Sequence, residues 1–149
     1  MAVELDRVIF DIKHLDVANL DVKEFEGIEY TQETINRIQG MAALGVAMTL
    51  MWDGRIVGFT GYLPLWKGVV EVWLIPTKYV NVKPLLLVRT LERYIRGIVR
   101  DHKLHRIQTI AIDDKPHSRF LGALGFESEG LARDYMAKGA DRRYWARRF

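Results

Sequence analysis

Apolar residues recur along this chain at two different periods, and the change from one to the other marks its elements. Val46, Met48, Leu50 and Trp52 alternate with small or polar neighbours as far as Asp53-Gly54, and Arg55 to Leu63 continues the pattern beyond it. A period of two puts one set of side chains on a buried strand face, and an Asp-Gly pair supplies the positive φ angles of a two-residue turn, so this stretch predicts an antiparallel hairpin. Pro64 to Gly68 interrupts it, and Val69 to Ile75 predicts a third antiparallel strand. After Pro84 the period becomes helical. Val88, Leu91, Ile95 and Ile98 share a core face, while Arg89, Arg93, Arg96 and Arg100 lie almost opposite, on a face that solvation alone explains. Arg106 to Ile112 predicts a β-branched strand. Asp113-Asp114-Lys115-Pro116 then predicts a cap and an early-turn proline, followed by a short helix that carries Phe120, Leu121 and Leu124 to a stop at Gly125. Phe126 to Leu131 and Arg142 to Phe149 predict a closing strand pair, joined by a polar connection through Gly139.

The first third is less regular. Residues 3 to 12 predict a strand, and Val17, Leu20 and Val22 hint at a short helix capped by Asp16. Thr31 caps a better helix, with Ile35, Ile38 and Met41 on one face and Gly40 as its terminator. The order is therefore strand, helices, three antiparallel strands, helix, strand, helix and two strands, which predicts an α+β or mixed α/β fold without repeats. At 149 residues and 49% hydrophobic, the chain is expected to form one domain, 1–149, around a single core. The passage from Val69 through Pro76 to the run beginning at Pro84 matters most: a strand ending at a proline, a short loop and a long helix is an arrangement that holds phosphate at a helix N-terminus.

Composition narrows the chemistry. There is no cysteine, so disulfides, thiol nucleophiles and thiolate metal sites are excluded, and a reducing cytoplasm is the expected location. No apolar stretch approaches the roughly 20 residues that span a bilayer, and the mixed, acidic N-terminus is unlike a signal peptide. Charge is segregated. Basic residues number seven against eleven acidic ones up to position 80, nine against six over 81–132, and six against two from 133 onward. Such a surplus serves a polyanion, a phosphate-bearing cofactor or an acidic partner, or is simply a solvated arginine surface. No glycine-rich loop of the Walker or dinucleotide type occurs, and neither serine, Ser118 or Ser128, sits in a nucleophile elbow. His102 and His105 beside Asp101 are too few to hold a transition metal, and no metal is expected. The Arg142-Arg-Tyr-Trp-Ala-Arg-Arg-Phe149 tail reads either as a nucleic-acid surface or as a strand that packs Trp145 and Phe149 inward with arginines outside; the second is expected.

His117-Ser-Arg-Phe-Leu-Gly-Ala-Leu-Gly-Phe126, Val72-Trp-Leu-Ile-Pro76 and the order of elements from residue 45 onward together resemble the GNAT superfamily, the Gcn5-related N-acetyltransferases. The resemblance implies a twisted, mixed but mostly antiparallel sheet with helices on both faces. It also implies acyl transfer from acetyl-CoA to a small-molecule or protein amine. Leu74 and Ile75 would then offer backbone to the pantetheine arm between the two central strands, and Val80, Asn81, Val82 and Lys83 would form the pyrophosphate loop. Glu71 would be the general base; its alternative is a glutamate on the solvent face. The family's loop places glycine or alanine where Val82 and Pro84 stand here, and Pro84 has no N–H to offer. Leu121 occupies the place of the family's tyrosine acid, which leaves that role vacant or moves it to His117. Asp114 replaces a common asparagine at the helix start, near the cofactor. A second function is consistent with these departures: a non-catalytic binding or assembly module, such as the GNAT-like internal virion proteins of tailed phages, with a phage or self-assembly partner and a place in the virion. Neither reading expects nucleic acid or membrane as partner.

Overall fold

The computed structural model of the protein describes residues 5–11, 13–15, 32–81 and 83–149. Among the described residues the elements follow in the order β1 (Asp6–Ile9), α1 (Gln32–Leu44), β2 (Val46–Trp52), β3 (Arg55–Trp66), β4 (Val69–Pro76), α2 (Pro84–His102), β5 (Arg106–Ile112), α3 (Lys115–Ala123), β6 (Glu127–Ala137) and β7 (Ala140–Arg148). The strands form one sheet in the order β1-β2-β3-β4-β5-β7-β6. Its β1/β2, β2/β3, β5/β7 and β6/β7 pairs are antiparallel, and β4/β5 is parallel. This is the mixed, mostly antiparallel α/β architecture that the order of elements predicts. Packing groups the chain into two compact units, Met1–Leu63 with Val72–Thr90 and Pro64–Glu71 with Leu91–Phe149.

In the first unit the hairpin turns as its sequence requires. Asp53 has φ +49° and Gly54 φ +72°, the two positive angles of a type I′ turn, and Trp52 pairs with Arg55 across it. The alternation of β2 is interrupted by a register shift between Leu50 and Met51; before it, Thr49 and Leu50, on opposite faces of the strand, are both fully buried, and Val46 is exposed. The core gathers Leu15, Ile38, Ile56 and Phe59, with Phe10 meeting Phe59 edge to face at 5.8 Å. α1 presents Ile38 to this core. It does not end at Gly40, which lies exposed inside the helix with open space where a Cβ would be, but runs on to Leu44. The stop is Gly45, where an added Cβ would overlap the Tyr62 carbonyl oxygen. Thr31, the short helix after Asp16, and the ends of the first predicted strand lie outside the described residues.

β3 also departs from expectation, continuing through Pro64 to Trp66 instead of breaking there. Its register with β2 ends at Val46↔Tyr62, so the N–H that proline lacks would have had no partner on β2. The turn is made instead at Lys67-Gly68, where Gly68 takes φ +78°.

The second unit is built around Ile107, Trp145 and the α2 stripe of Leu91, Ile95 and Ile98, all buried. α3 begins as predicted, with Asp114 as N-cap accepting the His117 N–H and Pro116 in the first turn, and ends at Gly125 with φ +77°. The tail reading needs one correction: Trp145 is buried, but Phe149 is 48% exposed, with the Arg147 guanidinium 4.8 Å above its ring. The polar connection expected after Leu131 is strand as well. β6 runs to Ala137, and the hairpin closes at Lys138-Gly139. Its outer half looks polar in sequence because this strand lies at the sheet edge and is exposed along most of its length.

Candidate functional site

In the first unit, the segment between β4 and α2 is pinned at its start by Thr77. The buried Thr77 hydroxyl donates to the Ile56 carbonyl at 2.6 Å, its N–H donates to the Val57 carbonyl at 2.9 Å, and the Tyr79 N–H donates back to the hydroxyl. Val80 N–H closes a turn onto the Thr77 carbonyl, Asn81 is exposed, and Val82 lies outside the described residues. α2 then begins with the Lys83 carbonyl accepting the Leu87 N–H, which makes Pro84 the first helical residue. Of the four N–H groups that a first turn leaves without helical partners, proline supplies none, so those of Lys83, Leu85 and Leu86 remain.

What the loop lacks in amides it gains in side-chain charge. Arg55 from the hairpin and Lys78 both lie over the Tyr79 ring, at 5.0 and 5.1 Å, and Lys83 lies 5.4 Å over Trp52. No acidic residue occupies the first turn of α2. Three cations beside a helix N-terminus are a donor set suited to a polyphosphate. Leu74 and Ile75 belong to the same unit, with Ile75 packed against its core.

In the second unit, Glu71 opens onto a cleft of about 250 Å³. β4 and β5 pair in parallel at Val69↔Arg106, Val70↔Ile107 and Glu71↔Gln108, and β5 pairs Gln108 with Ala146 and Ile110 with Tyr144. Because side chains on a strand alternate between faces, this register sets Glu71, Arg106, Gln108 and Tyr144 on one face. Glu129 and Tyr135 from β6 also line the cleft, as do Thr109, Ile110 and Trp145. Glu71 is half-buried, and that burial pushes its carboxyl above the ordinary carboxylate range. Among the described residues no cation pairs with it. Glu129 behaves oppositely: hydrogen bonds from the Arg106 guanidinium, which grips both of its oxygens, hold it below the usual range. Arg106 Nε also donates to the Gln108 side-chain oxygen at 3.0 Å. The cleft thus holds one carboxylate that resists ionisation and one that is already neutralised.

His117 and Asp114 lie elsewhere in this unit and do not line the cleft. Asp114 Oδ1 accepts the His117 N–H at 2.8 Å and sits 2.6 Å from His117 Nδ1. Burial opposes charge on Asp114, but the backbone and ring bonds from His117 outweigh it and keep the carboxyl below its ordinary range. Leu121 is buried in the core. Much of the basic tail is occupied internally: Arg143 binds Asp113 and Ser128, and Arg147 binds Glu92 and the Leu124 carbonyl. Among the described residues, no group of three or more His, Asp or Glu could hold a metal ion, and no helix is long and apolar enough to cross a membrane.

The sequence pointed to Glu71 as a lone acid in an apolar strand but not to Arg106, Gln108, Glu129, Tyr135 and Tyr144. Alternation along β5 and β7 carries part of that signal; the β4/β5 register and the bulge at Ser128/Gly130, which turns out Glu129, are tertiary.

No protein-family model matches the chain, and no curated protein matches it in sequence. Solved structures do match it, over nearly its whole length. An acetyltransferase of the GNAT family from Bacillus anthracis superposes with a TM-score of 0.73 at 19% identity, covering 97% of this chain and 95% of that one. The ribosomal α-N-protein acetyltransferase RimL, solved in complex with coenzyme A, gives 0.76 at 12% identity, covering 99% and 96%. An aminoglycoside 6'-acetyltransferase type Ii gives 0.71 at 19% identity, covering 96% of each chain. The fold is that of the GNAT acyltransferases. Within this GNAT fold the α3 stop at Gly125, the proline that ends β4 and the long α2 all fall where the sequence resemblance places them.

Proposed function

We propose that this chain is a divergent member of the GNAT superfamily that transfers an acyl group from acyl-CoA to a primary amine. The observation that carries the reading is Glu71: a half-buried carboxylate without a cationic partner among the described residues, facing a cleft at the point where β4 and β5 pair in parallel. Acyl-CoA brings an activated thioester. The chain's own part is to bind the phosphates, seat the amine and take up its proton. Arg55, Lys78 and Lys83 hold the phosphates by charge, where relatives with a glycine-rich loop use backbone amides. Glu71 accepts a proton from the ammonium, which leaves the nitrogen lone pair to attack the thioester carbonyl; the C–N bond forms as the C–S bond breaks, the nitrogen gives up its second proton to solvent to leave the neutral amide, and the departing thiolate takes a proton. His117, oriented by Asp114, is the proposed source of that proton.

The test is to follow thiol release from acetyl-CoA with a panel of primary amines, comparing the protein with Glu71→Gln. The substitution should lower the rate by about 10²–10⁴-fold while leaving CoA affinity intact, because the base acts on the amine. The rate of the unsubstituted protein should rise with pH through a limb displaced above the 4.5 of an ordinary glutamate. Loss of CoA affinity with the rate per bound complex preserved would remove Glu71 from this role. If neither acetyl-CoA nor CoA binds, acyl transfer gives way to a GNAT-fold binding or assembly module of the virion type.

A further inference from the structure

We infer that the Glu71 cleft selects an acceptor carrying a second cationic centre, and that Arg106 is an internal placeholder which this centre displaces from Glu129. The inference rests on the reading of Glu71 as the group that meets the reacting amine. Three features of the cleft carry it.

The first is charge. The lining contains two carboxylates, Glu71 and Glu129, and one cation, Arg106. Arg106 is committed to the second carboxylate through both terminal nitrogens and to Gln108 through Nε. A monocationic amine would satisfy Glu71 and find the rest of the cleft balanced. A dication satisfies both acids and releases Arg106, about a quarter of whose side chain is already exposed, toward water. The exchange replaces one ion pair with another, so its direction is set by what else the incoming cation meets.

The second feature supplies that difference. Tyr135 and Tyr144 stand edge to face with centroids 6.3 Å apart, 49% and 46% exposed, and both line the cleft with Glu129. Exposed tyrosine rings beside a carboxylate attract an ammonium or guanidinium through their negative faces. No cation among the described residues lies over either ring, whereas Tyr79 has two and Trp52 and Phe149 have one each.

The third is position. Glu129 is the extra residue of the bulge between Ser128 and Gly130, so its side chain leaves the regular β6 alternation. A bulge that re-aims a carboxylate into a cleft already holding another fits recognition of an elongated ligand with a charge at each end.

The experiment needs no acyl-CoA. Binding to the intact protein is measured by calorimetry for linear primary monoamines, α,ω-diamines and ω-amino acids of three to eight carbons. The best diamine should bind at least about tenfold tighter than the monoamine of equal length, a difference of about 1.4 kcal/mol. Glu129→Gln should reduce that preference to about twofold or less, and Arg106→Met, which frees Glu129, should tighten diamine binding; the second variant keeps the test sound if the first folds poorly. Tyr144→Leu should weaken the diamine more than the monoamine. Equal affinity for mono- and diamines would overturn the inference. Tightest binding by an ω-amino acid would overturn it too, because Arg106 would then be reading a carboxylate. A missing diamine preference alongside acyl transfer that depends on Glu71 would defeat this inference alone, whereas a diamine preference without any turnover would defeat only the acyl-transfer reading.

Discussion

Removing the cations at the start of α2 gives the sharpest view of how this chain would hold a phosphate-bearing substrate. The perturbation is Lys83→Met and Arg55→Gln, singly and together; both residues are exposed, and both lie over aromatic rings at the mouth of the loop. A unit charge about 4 Å from a phosphate oxygen gains about 1 kcal/mol at the dielectric of water and about 4 kcal/mol at an effective dielectric of 20. Exposure puts each residue near the lower limit, so each substitution should weaken coenzyme A binding about fivefold and the pair about thirtyfold. Lost cation–π contacts cost about 0.5–1 kcal/mol of loop stability, so melting temperature is recorded for every variant. Calorimetric titration of coenzyme A and of pantetheine, which has no phosphate, isolates the effect: only coenzyme A should lose affinity. Its affinity should also fall as salt rises from about 0.1 M, where the screening length is about 10 Å, to 1 M, where it is about 3 Å. If the double variant binds coenzyme A within twofold of the original while Pro84→Gly tightens it tenfold, backbone amides and not side chains form the cradle, and the electrostatic account is wrong.

Two further predictions concern the frame. Arg147→Met removes the guanidinium that binds Glu92 at 2.7 Å and donates to the Leu124 carbonyl; with Glu92 left only its exposed Arg96 partner, the change should cost about 1 kcal/mol and lower the melting temperature by about 2–4 °C. Hydrogen bonding from Arg147 holds Glu92 below its ordinary 4.5, so the gap between protein and variant should be full above pH 4.5 and close only as pH falls through the lower folded-state value; a gap that is constant with pH would refute the pairing. Gly54→Val places a β-branched residue at φ +72° where nothing crowds the added side chain, so conformation alone should cost roughly 1 kcal/mol or more; an unchanged thermal midpoint would refute the type I′ turn.

Where local chemistry decides structure, the residues announce it. Asp53-Gly54 must turn, Asp114 must cap, and Arg106 to Ile112 is a strand from its first residue to its last, because each depends on backbone preferences within a few positions. Gly40 and Pro64 misled for the opposite reason. A helix tolerates a glycine on its exposed side at about 1 kcal/mol, and a strand tolerates proline where no neighbour needs its N–H; whether either breaks an element depends on what lies beside it. Position 45, just past the end of α1, must be glycine because of the Tyr62 carbonyl, seventeen residues away and invisible to any local pattern.

The same distinction separates Glu71 from its neighbours in the cleft. An acid within Val-Val-Glu-Val-Trp is conspicuous because its own strand is apolar, so the candidate base could be picked out by residue type alone. Its companions are ordinary by type: an arginine opening a strand, a glutamine two residues later, a glutamate in a polar stretch and two tyrosines. They become a site because a parallel pairing only three residues long sets Gln108 beside Glu71, and because one inserted residue in β6 turns Glu129 out of its strand's alternation. A shift of one residue in the β4/β5 register would send every β5 side chain to the other face and dissolve the cleft. An acceptor bound in this cleft would be recognised through strand registers, while the residue that would activate it is legible in the strand itself.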